Sequence, residues 1–376
     1  MNPLEGAVSN CTNSILRQRA NHVRPAASDG LYNPWGPNVQ SPFDNRRPPI
    51  DNPSVLFGYN TNGFAHHRLE DAVAILAEIG YRSVAVTVER DLLDPPDRNG
   101  VARAVARLKP IMESAGVRLT IETGTRFILD PRRKHQPTLI SESPPDRLRR
   151  VEFLKACIDL AAAVSADSVS LWSGSPPPLI RGDTGGSESE PGVSARPEQT
   201  STLTRSPTPV QARHGSRPGS SDGPGREEAI VFERLVTGMR ELLDHGRRSG
   251  VRLSFEPEPG MFIDTMSGFA ALERELDDPF FGLTLDVGHV FCQGDGEAAE
   301  HIRRWRGMLW NVHIEDMCRG VHEHLMFGEG EMDFPAVLAA LRAVGYAGPV
   351  HVELSRHSHD AVETARRALD FLKRLV

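Results

Sequence analysis

What most constrains this chain is an alternation repeated along its length: a short apolar run, then a segment with apolar residues every third or fourth position, then another apolar run. Val55 to Asn60 reads as a buried strand, and Leu69, Val73, Leu76 and Ile79 follow at helical spacing. Ser83 to Val88 is a second strand, backed by Val101, Val105, Leu108 and Met112, with Pro110 expected to kink or divide that helix. Val117 to Thr123 is a third. Ser143 then offers a cap and Pro144 a first helical position, with Leu148, Val151, Leu154 and Ile158 on one face, before a fourth strand at Asp167 to Trp172.

The pattern breaks twice. Residues 1–53 are rich in Asn, Pro, Arg and Ser without a period, and residues 176–225 mix Ser, Pro, Gly, Arg, Thr and Glu; both have the composition of disordered chain. An exposed loop tolerates such an insertion because closure entropy grows slowly with length. Beyond it the alternation resumes unchanged, which argues for one domain over 54–376, interrupted by 176–225. The later strands are Val251 to Glu256, Phe281 to Asp286, Leu309 to Ile314 and Pro349 to Leu354, with helices on Val231, Leu235 and Met239, on Phe269 and Leu272, on Ile302 and Trp305, on Val337 and Leu341, and on Ala365 and Leu369. Eight strands and eight helices predict an α/β fold, a parallel (β/α)8 TIM barrel of close to the ~250 residues usual for it. An open doubly wound sheet fits less well, since no glycine-rich dinucleotide turn follows the first strand.

In such a barrel the chemistry sits where strands end. The terminal residues read Asn60, Glu89, Glu122, Trp172, Glu256, Asp286, His313 and Glu353. Four successive strands thus finish in Glu, Asp, His and Glu behind aliphatic core residues, where a charge is seldom buried unless paired or coordinated. Strand ends five to eight supply hardly any basic partner, so a ring of ordinary ion pairs is the weaker reading. Three carboxylates and an imidazole suit one divalent cation, Mn²⁺ or Mg²⁺ best, with Co²⁺ or Zn²⁺ within range.

The series FEPEPG, LDVGH, VHIEDM, GEGEMDF and VELS resembles the xylose isomerase-like TIM-barrel superfamily, which includes sugar phosphate isomerases/epimerases, ketose 3-epimerases and endonuclease IV. The resemblance implies a metal held by Glu256, Asp286, His313 and Glu353, with His289 binding substrate oxygens. A divalent-metal-dependent isomerase or epimerase acting on a sugar or sugar phosphate through an enediolate follows, with Glu256 and Glu353 moving the proton. Glu122, Arg132, His135, Trp172 and Glu258 are candidates for substrate binding, the basic loop residues for a phosphate or carboxylate and Trp172 for a sugar ring.

Two rivals remain. A metal-dependent phosphodiesterase resembling the AP endonuclease would use His322 and His324 for a second metal, but it needs His at strand ends two and three, where this chain has Glu89 and Glu122. A non-catalytic metabolite-binding or traffic protein would be favoured by loss of a ligand, and none is lost. A net charge of −7 disfavours nucleic acid. No run spans a bilayer and the N-terminus lacks a signal-peptide core, so a cytoplasmic enzyme of small carbohydrates is expected, with no membrane partner. Superfamily barrels often pair, which leaves a homodimer open.

Overall fold

The computed structural model describes residues 55–94, 97, 99–176 and 224–376. The N-terminal extension 1–53 and nearly all of the insertion 176–225 lie outside the described residues. Eight parallel strands close into a barrel: β1 (Leu56–Asn60), β2 (Ser83–Thr87), β3 (Arg118–Glu122), β4 (Val169–Leu171), β5 (Leu253–Phe255), β6 (Phe281–Asp286), β7 (Leu309–Ile314) and β10 (Pro349–Val352), with β1 paired to β10 to complete the ring. The predicted (β/α)8 barrel is therefore the fold, and the strands before and after residues 177–223 belong to one sheet.

Around it run α1 (Leu69–Ile79), α2 (Gly100–Ala115), α3 (Pro144–Ala163), α4 (Pro224–Ser249), α5 (Met266–Leu276), α6 (Val287–Gln293), α7 (Ala298–Trp305), α8 (Phe334–Ala343) and α9 (Ala361–Lys373). Their inner stripes are fully buried: Val73 and Leu76 on α1, Leu108 on α2, Leu154 and Ile158 on α3, Leu369 and Leu372 on α9. Each such side chain contributes roughly 1.5–3 kcal/mol by leaving water. Phe269 of α5 stacks on Phe281 of β6 and meets Trp305 of α7 edge-on, ring centres 5.5 and 5.1 Å apart, and so ties two helices to one strand.

Local signals account for the helix ends. Ser143 caps α3 by accepting from the Asp146 N–H, and Thr265 caps α5 through the Gly268 N–H. Three expectations need correction. Pro110 does not divide α2, which runs unbroken past it. Leu148 is 57 % exposed, so the buried face of α3 begins beyond it, at Arg150 and Val151. The segment after β6 holds two helices, α6 and α7, and the loop after β7 folds into an antiparallel hairpin, β8 (Asp316–Cys318) with β9 (Val321–Leu325).

The inside of the barrel departs from the usual layers of branched aliphatics. Ser83, Thr120, Ser170, Ser254, Thr284, Asn311 and His351 are all buried. Thr284 on β6 donates to Ser170 on β4 at 3.1 Å, across the intervening β5, which only inward-pointing side chains can do.

Candidate active site

β6 ends on Asp286, β7 carries His313 one residue from its end, and Glu256 and Glu353 follow the last residues of β5 and β10. Four neighbouring strands thus deliver four donors to one mouth of the barrel. Register makes this unavoidable, since Asp286 pairs with His313 across β6 and β7 and Val352 with Ile314 across β10 and β7. One ligand atom from each of the four lies within 4.8 Å of the other three. His313 is central: its Nδ1 is 2.9 Å from Glu353 Oε2 and 3.1 Å from Glu256 Oε1.

These groups fit a divalent cation. Asp286 uses Oδ1 to cap α6 through the His289 N–H at 2.8 Å, and its buried Oδ2 has no hydrogen-bond partner. An unpartnered buried carboxylate oxygen is costly unless a cation meets it. Burial pushes the Glu256 carboxyl well above its ordinary range. Burial acts on Glu353 in the same direction, yet the adjacent His313 holds it below. For His313 burial opposes the charge, and Glu256, Glu353 and Glu122 together overcome it and raise the imidazole. Asn62 adds a 2.7 Å hydrogen bond to Glu353 Oε1.

His289, in the first turn of α6, is buried beside this quartet. Its Nε2 is 3.5 Å from Asp286 Oδ2 and 3.1 Å from His322 Nε2, and its Nδ1 has no hydrogen-bond partner. His322 and His324 alternate along β9, so the hairpin presents both rings to His289, and one nitrogen from each of the three lies within 4.8 Å of the others. Burial pushes His322 down to about 3 and lowers His289. His324 Nδ1 lies 3.0 Å from the Glu353 carbonyl, to which it can only donate.

The remaining candidates are spread more widely. Glu258, half-buried past β5, has its carboxyl pushed up to about 8 by burial and then by Glu353 and Asp286. Glu122 is turned into the barrel, where Oε1 meets His313 Nε2 and the Asn311 amide at 3.1 Å each. His135 and Trp172 meet edge-to-face at 5.2 Å, with the Arg150 guanidinium 5.0 Å over the Trp172 ring; burial pushes His135 down to about 4. Arg132 is exposed, and among the described residues no hydrogen bond or ion pair joins it to the quartet.

Sequence reasoning passed over Asn311 and His351, and Glu315, though a possible ligand by type, was given no role. Glu315 is fully buried, 3.9 Å from His324 and against Gly288, where a Cβ would overlap its carboxylate. Period-two alternation was the available signal: Asn311, His313 and Glu315, like His351 and Glu353, are two apart and share a face. Asp316 has a different task. Its buried carboxylate accepts the backbone N–H groups of Gly328, Met317 and Met332 at 2.8 to 3.2 Å, shaping the loop beyond the hairpin.

Residues 210–375 match a family described as the xylose isomerase-like TIM barrel. The L-ribulose-5-phosphate 3-epimerase UlaE of Salmonella paratyphi C is 28% identical over 141 residues, 37% of this chain and 49% of that protein. The matched stretch therefore spans about half the length of the curated relatives. A D-tagatose 3-epimerase-like protein superposes with a TM-score of 0.60 at 16% identity, over 85% of this chain and 99% of the other. An L-ribulose 3-epimerase does so with 0.58 at 17%, over 86% and 96%. At such identities the superpositions speak for the fold. Closed sheet and matched segment agree on the fold: the chain is a TIM barrel whose residues 210–375 are similar to the xylose isomerase-like family.

Proposed function

We propose that this chain is a divalent-cation-dependent sugar or sugar-phosphate epimerase, acting on the carbon beside a ketose carbonyl. The observation that carries the reading is the convergence of Glu256, Asp286, His313 and Glu353 around the partnerless Asp286 Oδ2, at the strand ends where barrels of this fold react. The similar proteins are named as sugar 3-epimerases, which supports the substrate class.

A bound cation, Mn²⁺ or Mg²⁺ by the hardness of three carboxylates, would supply Lewis acidity toward the oxygens of a ketose and its neighbouring hydroxyl. The protein residues do the rest. Glu256 and Glu353 follow β5 and β10, which two strands separate, so their carboxylates would approach a sugar from different sides. One takes the proton from the carbon and the other returns it to the opposite face, which inverts the centre. Return by the same carboxylate to the adjacent carbon would give isomerisation instead. His289 and Glu258 would hold sugar oxygens, while Trp172, His135 and Arg132 belong to the β3 and β4 side of the mouth.

Metal analysis together with deuterium exchange from solvent tests this. Purified chain supplied with Mn²⁺ should introduce solvent deuterium into a ketose or ketose phosphate, and Glu256→Gln should slow that exchange by roughly 10²–10⁴-fold. Bound metal without exchange into any ketose, ketose phosphate or inosose would sink it.

The three-histidine cluster favours one second reading. His289, His322 and His324 beside Asp286 would hold a second cation, and a two-metal centre suits phosphodiester cleavage. Two tightly bound metals per chain, with hydrolysis of a phosphodiester and no ketose exchange, would establish it.

A further inference from the structure

One hydrogen-bonded column crosses the barrel beneath the quartet. Ser83 Oγ on β2 is 2.9 Å from His351 Nε2 on β10. His351 Nδ1 is 2.8 Å from Asn311 Oδ1 on β7. The Asn311 amide nitrogen is 3.1 Å from Glu122 Oε1 on β3, and that same oxygen is 3.1 Å from His313 Nε2. All of these residues are 7 % exposed or less. β7 and β3 stand on opposite sides of the closed sheet, so the last link spans the full width of the barrel.

Chemistry fixes the direction of each link. An amide oxygen only accepts, so His351 Nδ1 must carry the proton it gives to Asn311. With its oxygen committed, Asn311 points its NH₂ toward Glu122. A carboxylate oxygen likewise only accepts; the Asn311 amide nitrogen also lies 3.1 Å from His313 Nε2 but can only donate, so of these two neighbours Glu122 alone can take the Nε2 proton, beside the N–H it draws from Asn311. With Nε2 donating to Glu122, Nδ1 is the nitrogen turned toward Glu256 and Glu353, and its own proton is the one a cation would displace. Ligating imidazoles are commonly oriented by a carboxylate on the far nitrogen, at a cost of about 10–100-fold in affinity when it is lost. Gly58 belongs to the device: on β1, between β2 and β10, it leaves the space that the His351 ring fills, and any Cβ there would overlap that ring.

We propose that Ser83, His351, Asn311 and Glu122 form a buried positioning relay that fixes the tautomer and direction of His313, so that Nδ1 is the atom offered to the cation. This rests on reading the quartet as a cation site. In this role the relay residues act through His313. Four polar side chains inside a barrel are costly unless mutually satisfied, and this column satisfies them while ending on one ligand.

The test compares calorimetric Mn²⁺ titration of metal-stripped chain with its variants. Asn311→Leu, close in size but without polar atoms, should bind Mn²⁺ about 10–100-fold more weakly while its circular dichroism is unchanged. His351→Asn keeps a donor near the Nδ1 position and should stay within a few fold of the parent, whereas His351→Leu should fall with Asn311→Leu. A packing role alone would make the two His351 variants alike. Nitrogen-15 NMR of the metal-free parent should show His351 protonated on Nδ1. Folded Leu variants that match the parent in Mn²⁺ affinity, or a His351 protonated only on Nε2, would overturn the relay. A parent that takes up no Mn²⁺ would instead overturn the reading of the quartet, and the positioning role with it.

Discussion

Gly58 shows how far a single residue can constrain the chemistry above it. A side chain at this point of β1 would enter the ring of His351 and approach the Ser83 carbonyl. Gly58→Ala should therefore displace His351 and cost about 1–3 kcal/mol, as overpacking of a dense interior does, measured by chemical denaturation. The same variant should weaken Mn²⁺ binding, since the ring it displaces anchors Asn311. Gly288 does the corresponding service for Glu315 in the first turn of α6. Neither glycine has a positive φ. Each is small because a functional side chain needs its volume.

Between elements, charge does part of the work that apolar packing does elsewhere. Arg107 of α2 grips Glu70 of α1 with two hydrogen bonds, Nε to Oε1 at 2.5 Å and Nη2 to Oε2 at 3.0 Å, and also holds Asp91 at 2.9 Å. The paired guanidinium keeps the Glu70 carboxyl down at about 2, below its ordinary 4.5. A carboxyl depressed in the folded state gives its stabilisation in full above the unfolded value and loses it as pH falls toward the folded one. The stability gap between the parent and Glu70→Gln should accordingly be constant near neutrality and close between pH ~4.5 and ~2. A gap that persists at the acid end would show that packing, and not the ion pair, sets the α1–α2 contact. The hairpin β8–β9 is positioned in a related way, by Asp316 gathering three backbone N–H groups, which is how His322 and His324 come to stand beside α6.

For the whole molecule, closing the barrel concentrates acid. Glu256, Asp286, Glu315 and Glu353 are brought together at one mouth, and among the described residues no Lys or Arg is ion-paired with any of them. A cation bound there stabilises the folded chain by mass action, about 2.7 kcal/mol at a hundredfold excess over Kd. Chelation should thus lower the melting temperature by several degrees, and Mn²⁺ should restore it. No change on adding or removing metal would count against the quartet as a cation site. Among the described residues no helix is long and apolar enough to cross a membrane.

Much of this could be read from the chain alone. The alternation of apolar runs and helical spacing determined the barrel, because strand and helix periods are local properties that survive without knowledge of neighbours. Ending four successive runs in Glu, Asp, His and Glu determined the quartet, since parallel closure must bring consecutive strand ends to one mouth. The relay and the histidine cluster were decided only by tertiary structure. Ser83, Glu122, Asn311 and His351 lie on four strands far apart in sequence, and nothing local sets which of them meet across the barrel. That depends on register and on the room left by Gly58, and a shift of one residue would turn every one of these side chains out of the interior.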